Sequence, residues 1–169
     1  MTGQHAGLAR AIATVGGLGE RLPAPGTTAG SLPAAVLWWL ACLAAPAPAT
    51  RIALTAIGLA AAAAAGLWAA EVEVERRGAR DPGPIVIDEV AGQWLTYLVA
   101  LPFVPLAGAG PLALFAAAGF VLFRVFDVLK PWPIRSCEGF PGGVGVIADD
   151  LAAGWLAAVV LVIGWKILG

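Results

Sequence analysis

What constrains this chain most is where charge is missing. No ionisable residue other than cysteine occurs between Arg21 and Arg51, from Ile52 to Ala70, or, leaving Tyr97 aside, from Val90 to Phe123. Such runs suit the hydrocarbon core of a bilayer, which about 20 apolar residues cross as a helix. A helix is the form in which one segment satisfies all its own backbone polar groups in lipid. Composition agrees: 60% of residues are hydrophobic and 12% charged, with a mean hydropathy of +0.86. A soluble domain is roughly half apolar and a quarter charged, so this excess cannot be hidden in one small core. The 169 residues suit one domain, and a net charge of -1 argues against nucleic-acid binding.

Prolines and glycines divide the runs into helices. Pro23 and Pro25 precede the first and Pro46 and Pro48 follow it, giving a helix over 31–45 with Ser31 as N-cap and Pro33 in its first turn. The second helix spans 52–70; its alanines with Gly58 and Gly66 favour close helix contact. A charged stretch with helical character, Glu71 to Arg80, follows and ends at Asp81-Pro-Gly-Pro84. The uncharged run after Val90 is too long for one helix. Pro102, Pro105, Gly108, Gly110 and Pro111 split it into helices over 85–101 and 112–129. Pro131 and Pro133 stop the latter, residues 131–144 form a loop, and the last helix covers 144–168. Residues 1–21 read as an N-terminal tail, with too little apolar length near Met1 for a cleaved signal peptide. The expected fold is an all-α, polytopic membrane bundle of about five apolar helices. Cys42 and Cys137 fall in dissimilar surroundings without metal-ligand spacing, so no disulfide is expected.

Threading five helices as successive hairpins sorts the charges. Every acidic residue comes to one side, as do Arg10, Arg21, Arg76, Arg77, Arg80, Arg124, Lys130 and Arg135; only Arg51 and Lys166 fall opposite. By the positive-inside rule the charged side is cytoplasmic.

That side collects Asp88 and Glu89, Asp127, and Asp149 and Asp150, five carboxylates from three helix ends. Hard oxygen ligands of this kind suit Mg²⁺. The plainer explanation is that first-turn acids complement helix dipoles. It accommodates Asp88 and Asp149 but not Asp127, which lies near a helix C-terminus where a carboxylate opposes the dipole. Adjacent helical residues point about 100° apart, so one member of each pair can ligate while the other orients. Arg124, Asp127 and Lys130 share one helical face. They form either an interfacial ion-pair ladder or a phosphate grip beside a metal-binding acid, with Arg135 close in sequence. Two glycine-containing loops, Pro25-Gly-Thr-Thr-Ala-Gly-Ser31 and Pro141-Gly-Gly-Val-Gly145, open helices on the same side. Loops of this type can offer backbone N–H groups to an anion, though turns needing a flexible backbone look the same; Thr27 and Ser31 are the phosphate-binding candidates in the first. A Cys-x5-Arg loop and an Asp-x-Asp motif are absent, and His5 is the only histidine, an ordinary surface residue in the tail.

Four segments, Pro25–Leu32, Ile87–Trp94, Phe123–Arg135 and Gly142–Gly154, together resemble the phosphatidylglycerophosphatase A family, in order and over residues 10–165. The resemblance implies a bacterial inner-membrane, Mg²⁺-dependent lipid phosphatase that converts phosphatidylglycerophosphate to phosphatidylglycerol and inorganic phosphate. It places the acidic motif residues on Asp88, Glu89, Asp127, Asp149 and Asp150, and the basic ones on Arg124, Lys130 and Arg135. Of the acids, Asp127, Asp88 and Asp149 are the expected catalytic residues. The competing readings are a transporter or channel with an acidic mouth, which would want polar groups near the midplane, and a lipid enzyme that transfers a phosphoalcohol.

Overall fold

The computed structural model describes residues 3–79, 82–137 and 139–168. Arg80 and Asp81, both assigned above to the charged side, and Glu138 lie outside the described residues. Seven α-helices and no strand occur among the described residues: α1 (Gly3–Ala13), α2 (Leu32–Ala44), α3 (Pro48–Arg77), α4 (Ile87–Ala100), α5 (Ala109–Leu129), α6 (Ile134–Cys137) and α7 (Gly142–Leu168). A π-helical segment, Gly26–Ser31, runs directly into α2.

Four of these helices are long and apolar enough to cross a membrane: Gly26–Ala44, Pro48–Arg77, Ala109–Leu129 and Gly142–Leu168. The fifth expected helix is shorter, although the chain still passes along it from the acidic end to Leu106 beside Arg51. The 14 residues of α4 rise about 21 Å at about 1.5 Å per residue, short of a hydrocarbon core of about 30 Å. It is the central strut, with Asp88, Ala91, Gly92, Gln93, Thr96, Tyr97 and Ala100 buried against α7, α3, α5 and α2. The outward faces of the longer helices carry large exposed apolar residues such as Leu37, Ile57, Leu114, Val121 and Ile163. That pattern suits lipid contact and would be aberrant in water.

Two further segments depart from the expectation. Residues 1–21 are not merely a tail: α1 packs on α3, with Ala9 and Ala13 fully buried beside Ala69 and Ala70. Two small residues per face leave too weak an apolar pattern to announce that helix. The charged stretch after Ala70 continues α3 through Arg77, because Glu73 is fully buried and gripped by Arg76 and Arg77 at 2.7 and 2.8 Å. Gly78, with φ of 64°, then ends the helix in the left-handed conformation. His5 is exposed on α1, and both cysteines are free.

The bundle has two unlike ends. At the end where α3 starts, the buried Arg51 donates from Nε to the carbonyls of Cys42 and Ala45 at 3.1 and 2.8 Å and from Nη1 to that of Leu106 at 2.9 Å. It thereby satisfies carbonyls at the end of α2 that lack partners within their own helix and ties them to the loop before α5. Lys166 lies near the Phe103 ring at this end. A core of Trp38, Tyr97 and Phe115 fills the bundle above it, the Trp38 and Tyr97 rings stacking 4.1 Å apart. The remaining described charges gather at the opposite end.

Candidate active site

The site is built where α4 and α7 start side by side. A Cβ placed on Gly154 would meet the Gly92 carbonyl oxygen at 2.3 Å, and one on Gly92 would meet the Asp150 oxygen at 2.6 Å. The two backbones therefore touch, an approach only small residues permit. One turn before that contact on each helix stand the acidic pairs. Carboxylate oxygens of Asp88, Glu89 and Asp150 lie within 4.8 Å of one another, and Asp88 and Asp150 are buried. Asp127, buried in the last turn of α5, stands beside the group, since Arg124 Nη1 lies near both it and Glu89.

Two cations border the group. Arg124 Nη1 lies 2.6 Å from Asp127 Oδ2 and 3.9 Å from Glu89 Oε1. Neither contact is aligned as a hydrogen bond, and Arg124 Nε is buried without a partner. Lys130 ends α5 in a left-handed conformation, φ 42°, that non-glycine residues rarely adopt. From there its Nζ pairs with Asp149 Oδ2 at 2.6 Å. So within the pair 149/150, Asp150 joins the three-carboxylate group while Asp149 turns to Lys130 and accepts the Asp150 N–H at 3.0 Å. Five carboxylates meet two cations, an excess of three negative charges if all are ionised. Like charges so placed repel strongly in a low-dielectric setting. A hard divalent cation is the group whose chemistry fits this donor set.

The two glycine-containing segments turn out differently from anion-binding loops. Pro25–Ser31 is helical, and its glycines give clearance. A Cβ on Gly26 would fall 1.9 Å from Glu89 Oε1, and one on Gly30 would fall 3.0 Å from Glu89 Cβ. The Ser31 hydroxyl is buried and donates to the Gly26 carbonyl at 3.1 Å, so it bridges the wide π turn; Thr27 is half-buried beside Gly26. At the second segment α7 already begins at Gly142. There the Gly143 N–H donates to Glu71 Oε2 at 2.5 Å. The anion at that helix start is this chain's own Glu71. Arg135 is exposed on α6 and makes no ion pair with a described residue.

One polar residue of the site escaped the sequence pattern. Gln93 is fully buried, and neither Oε1 nor Nε2 has a hydrogen-bond partner. Each such orphan costs about 1–3 kcal/mol. Its signal was present: it is the polar residue one helical turn after Glu89 in an apolar run.

Sequence comparison decides the relationship. The family model described as Phosphatidylglycerophosphatase A matches residues 11–165. The chain belongs to the phosphatidylglycerophosphatase A family. Among curated proteins it is 39% identical over 97 residues to phosphatidylglycerophosphatase A of Escherichia coli, covering 57% of this chain and 52% of that one. It is 38% identical over 85 residues to phosphatidylglycerophosphatase A of Haemophilus influenzae, covering 50% and 47%. A Bacteroides thetaiotaomicron protein provisionally named phosphatidylinositol-3-phosphatase is 36% identical over 105 residues, 62% of each chain. The chain thus spans about half to three-fifths of the length of these relatives. No solved structure matches it significantly.

Proposed function

We propose that this member of the family hydrolyses the terminal phosphate of phosphatidylglycerophosphate, releasing phosphatidylglycerol and inorganic phosphate, with Mg²⁺ as cofactor. The observation that carries the reading is the meeting of Asp88, Glu89 and Asp150 within 4.8 Å, beside an arginine with an unpartnered buried Nε. The relatives' printed names supply the substrate class.

Asp88, Glu89 and Asp150 would hold the cation. When bound, Mg²⁺ supplies charge neutralisation for the phosphoryl oxygens. Arg124, kept in place by Asp127, takes equatorial phosphate oxygens as charge develops on them, and Lys130, kept by Asp149, adds to the same field. Asp127 pairs with Arg124 beside the carboxylate group and is the residue to take a proton from the attacking water. The new P–O bond forms from that water, the phosphoester bond breaks, and the proton passes from Asp127 to the departing alcohol oxygen. The bilayer keeps the acyl chains while the headgroup reaches the charged end. The bias of Arg and Lys toward that end supports a cytoplasmic site at a bacterial inner membrane, by the positive-inside rule.

Phosphatidylinositol 3-phosphate is the second substrate to weigh, given the name of the Bacteroides relative. Both headgroups carry a free hydroxyl on the carbon beside the phosphoester. The test is phosphate release from each lipid in detergent, with Mg²⁺ and with EDTA. Release from phosphatidylglycerophosphate that stops with EDTA supports the reading. No release from that lipid refutes it, and a nucleotide product from a nucleotide-activated lipid would indicate alcohol transfer instead.

A further inference from the structure

Apart from Trp39 Nε1, every buried side-chain atom without a hydrogen-bond partner among the described residues belongs to Glu89, Gln93 or Arg124. All three stand on α4 and α5, which pack together. Glu89 and Gln93 lie four residues apart on α4, hence on one face, and Glu89 meets Arg124 of α5 across it. Helical side chains lean toward the N-terminus of their own helix. A Gln93 side chain leaning this way extends toward the Glu89 carboxylate and the start of α4, not toward Tyr97, the next residue on that face. Tyr97 is occupied, its ring against Trp38 and its hydroxyl donating to the Ala116 carbonyl at 2.8 Å.

We infer that Gln93 reads the free hydroxyl beside the scissile phosphoester, making it the residue that selects a hydroxyl-bearing headgroup. This inference rests on the phosphatase reading. An amide with both atoms unpartnered needs a group that donates to Oε1 and accepts from Nε2. A hydroxyl does both; an ionised phosphate only accepts and a metal ion only receives lone pairs. The distance in sequence fits as well: Gln93 is one turn deeper than the carboxylates, toward the membrane, as the headgroup carbon next to a phosphate held by Arg124 must be.

The test compares two lipids on two proteins: dioleoyl phosphatidylglycerophosphate and its analogue with propane-1,3-diol in place of the headgroup glycerol, on wild type and on Gln93→Leu, each in detergent with Mg²⁺. For wild type, kcat/KM is expected to fall about 10- to 100-fold when the hydroxyl is removed. For Gln93→Leu the ratio between the lipids collapses toward one. Gln93→Glu, which keeps an acceptor, retains part of the preference. The ratio is insensitive to how much protein is folded or metal-loaded. A wild type that does not distinguish the lipids overturns the inference and leaves the phosphatase reading standing. So does a Gln93→Leu variant with the wild-type ratio. A wild type that releases phosphate from neither lipid removes both.

Discussion

The crossing of α4 on α7 is the most direct mechanical lever on the site. Gly154→Ala places a methyl group 2.3 Å from the Gly92 carbonyl oxygen, with the Gly92 carbonyl carbon at 3.0 Å. Both are backbone atoms, so no side-chain rotation relieves the clash. Ordinary contact begins near 3.4 Å, so the helices must part by about 1 Å, and overpacking of this kind costs about 1–3 kcal/mol. Better helix propensity of alanine offsets up to about 1 kcal/mol. The carboxylates of Asp88 and Asp150 stand one turn from the crossing, so their separation changes with it. A 1 Å misplacement in an active site costs about 100-fold in rate. The expected result is a kcat/KM for phosphate release about 100-fold down, with a cooperative thermal transition retained. Gly164→Ala is the control in the same helix, since its Cβ meets nothing within 4 Å; it should keep wild-type activity. A Gly154→Ala enzyme within about 3-fold of wild type would refute the claim that this contact sets the site.

Asp127→Asn, which cannot take a proton, should abolish phosphate release while the thermal transition persists; near-wild-type turnover would remove Asp127 from the mechanism. Arg51→Ala leaves two buried carbonyls and a half-buried one without their donor; it should destabilise the protein by about 2–4 kcal/mol, read as a lower Tm in detergent, with activity kept at permissive temperature. Hydrogen bonds from Arg10 and Arg77 to Glu20 hold its carboxyl down at about 2, below its ordinary 4.5. A depressed acid stabilises the fold above its unfolded value and loses that contribution as pH falls from about 4.5 toward about 2. Comparison of Tm at pH 6 and pH 3 should thus show a larger acid loss for wild type than for Glu20→Gln, a modest difference because the pair is solvent-exposed; equal losses would contradict the linkage.

The gathering of acids at one end was legible in the sequence because charge is so sparse that hairpin threading leaves few arrangements. Asp88, Glu89 and Asp150 meet because α4 and α7 start at the same end, which proline and glycine spacing already imposed. What was not legible depends on close approach in three dimensions. Gly26 and Gly30 look like turn residues, yet they lie in a helix and make room for Glu89. Glu71 looks like part of a solvated charged run, yet it caps α7 through the Gly143 N–H. Residue type alone cannot separate these uses, since flexibility and absence of a side chain are the same property of glycine. The short length of α4 was obscured by the uncharged run around it, and only the burial of Asp88, Ala91, Gly92, Gln93, Thr96, Tyr97 and Ala100 shows that so short a helix is the central one.

The central claim is that α4 and α7 jointly hold a divalent cation. Mn²⁺ titration of the purified protein, followed by loss of the free-ion electron paramagnetic resonance signal, tests it without reference to turnover. Wild type should bind Mn²⁺ in competition with Mg²⁺, and Asp88→Asn and Asp150→Asn should each lose that binding although they alter different helices. Wild-type binding in both variants would contradict the account.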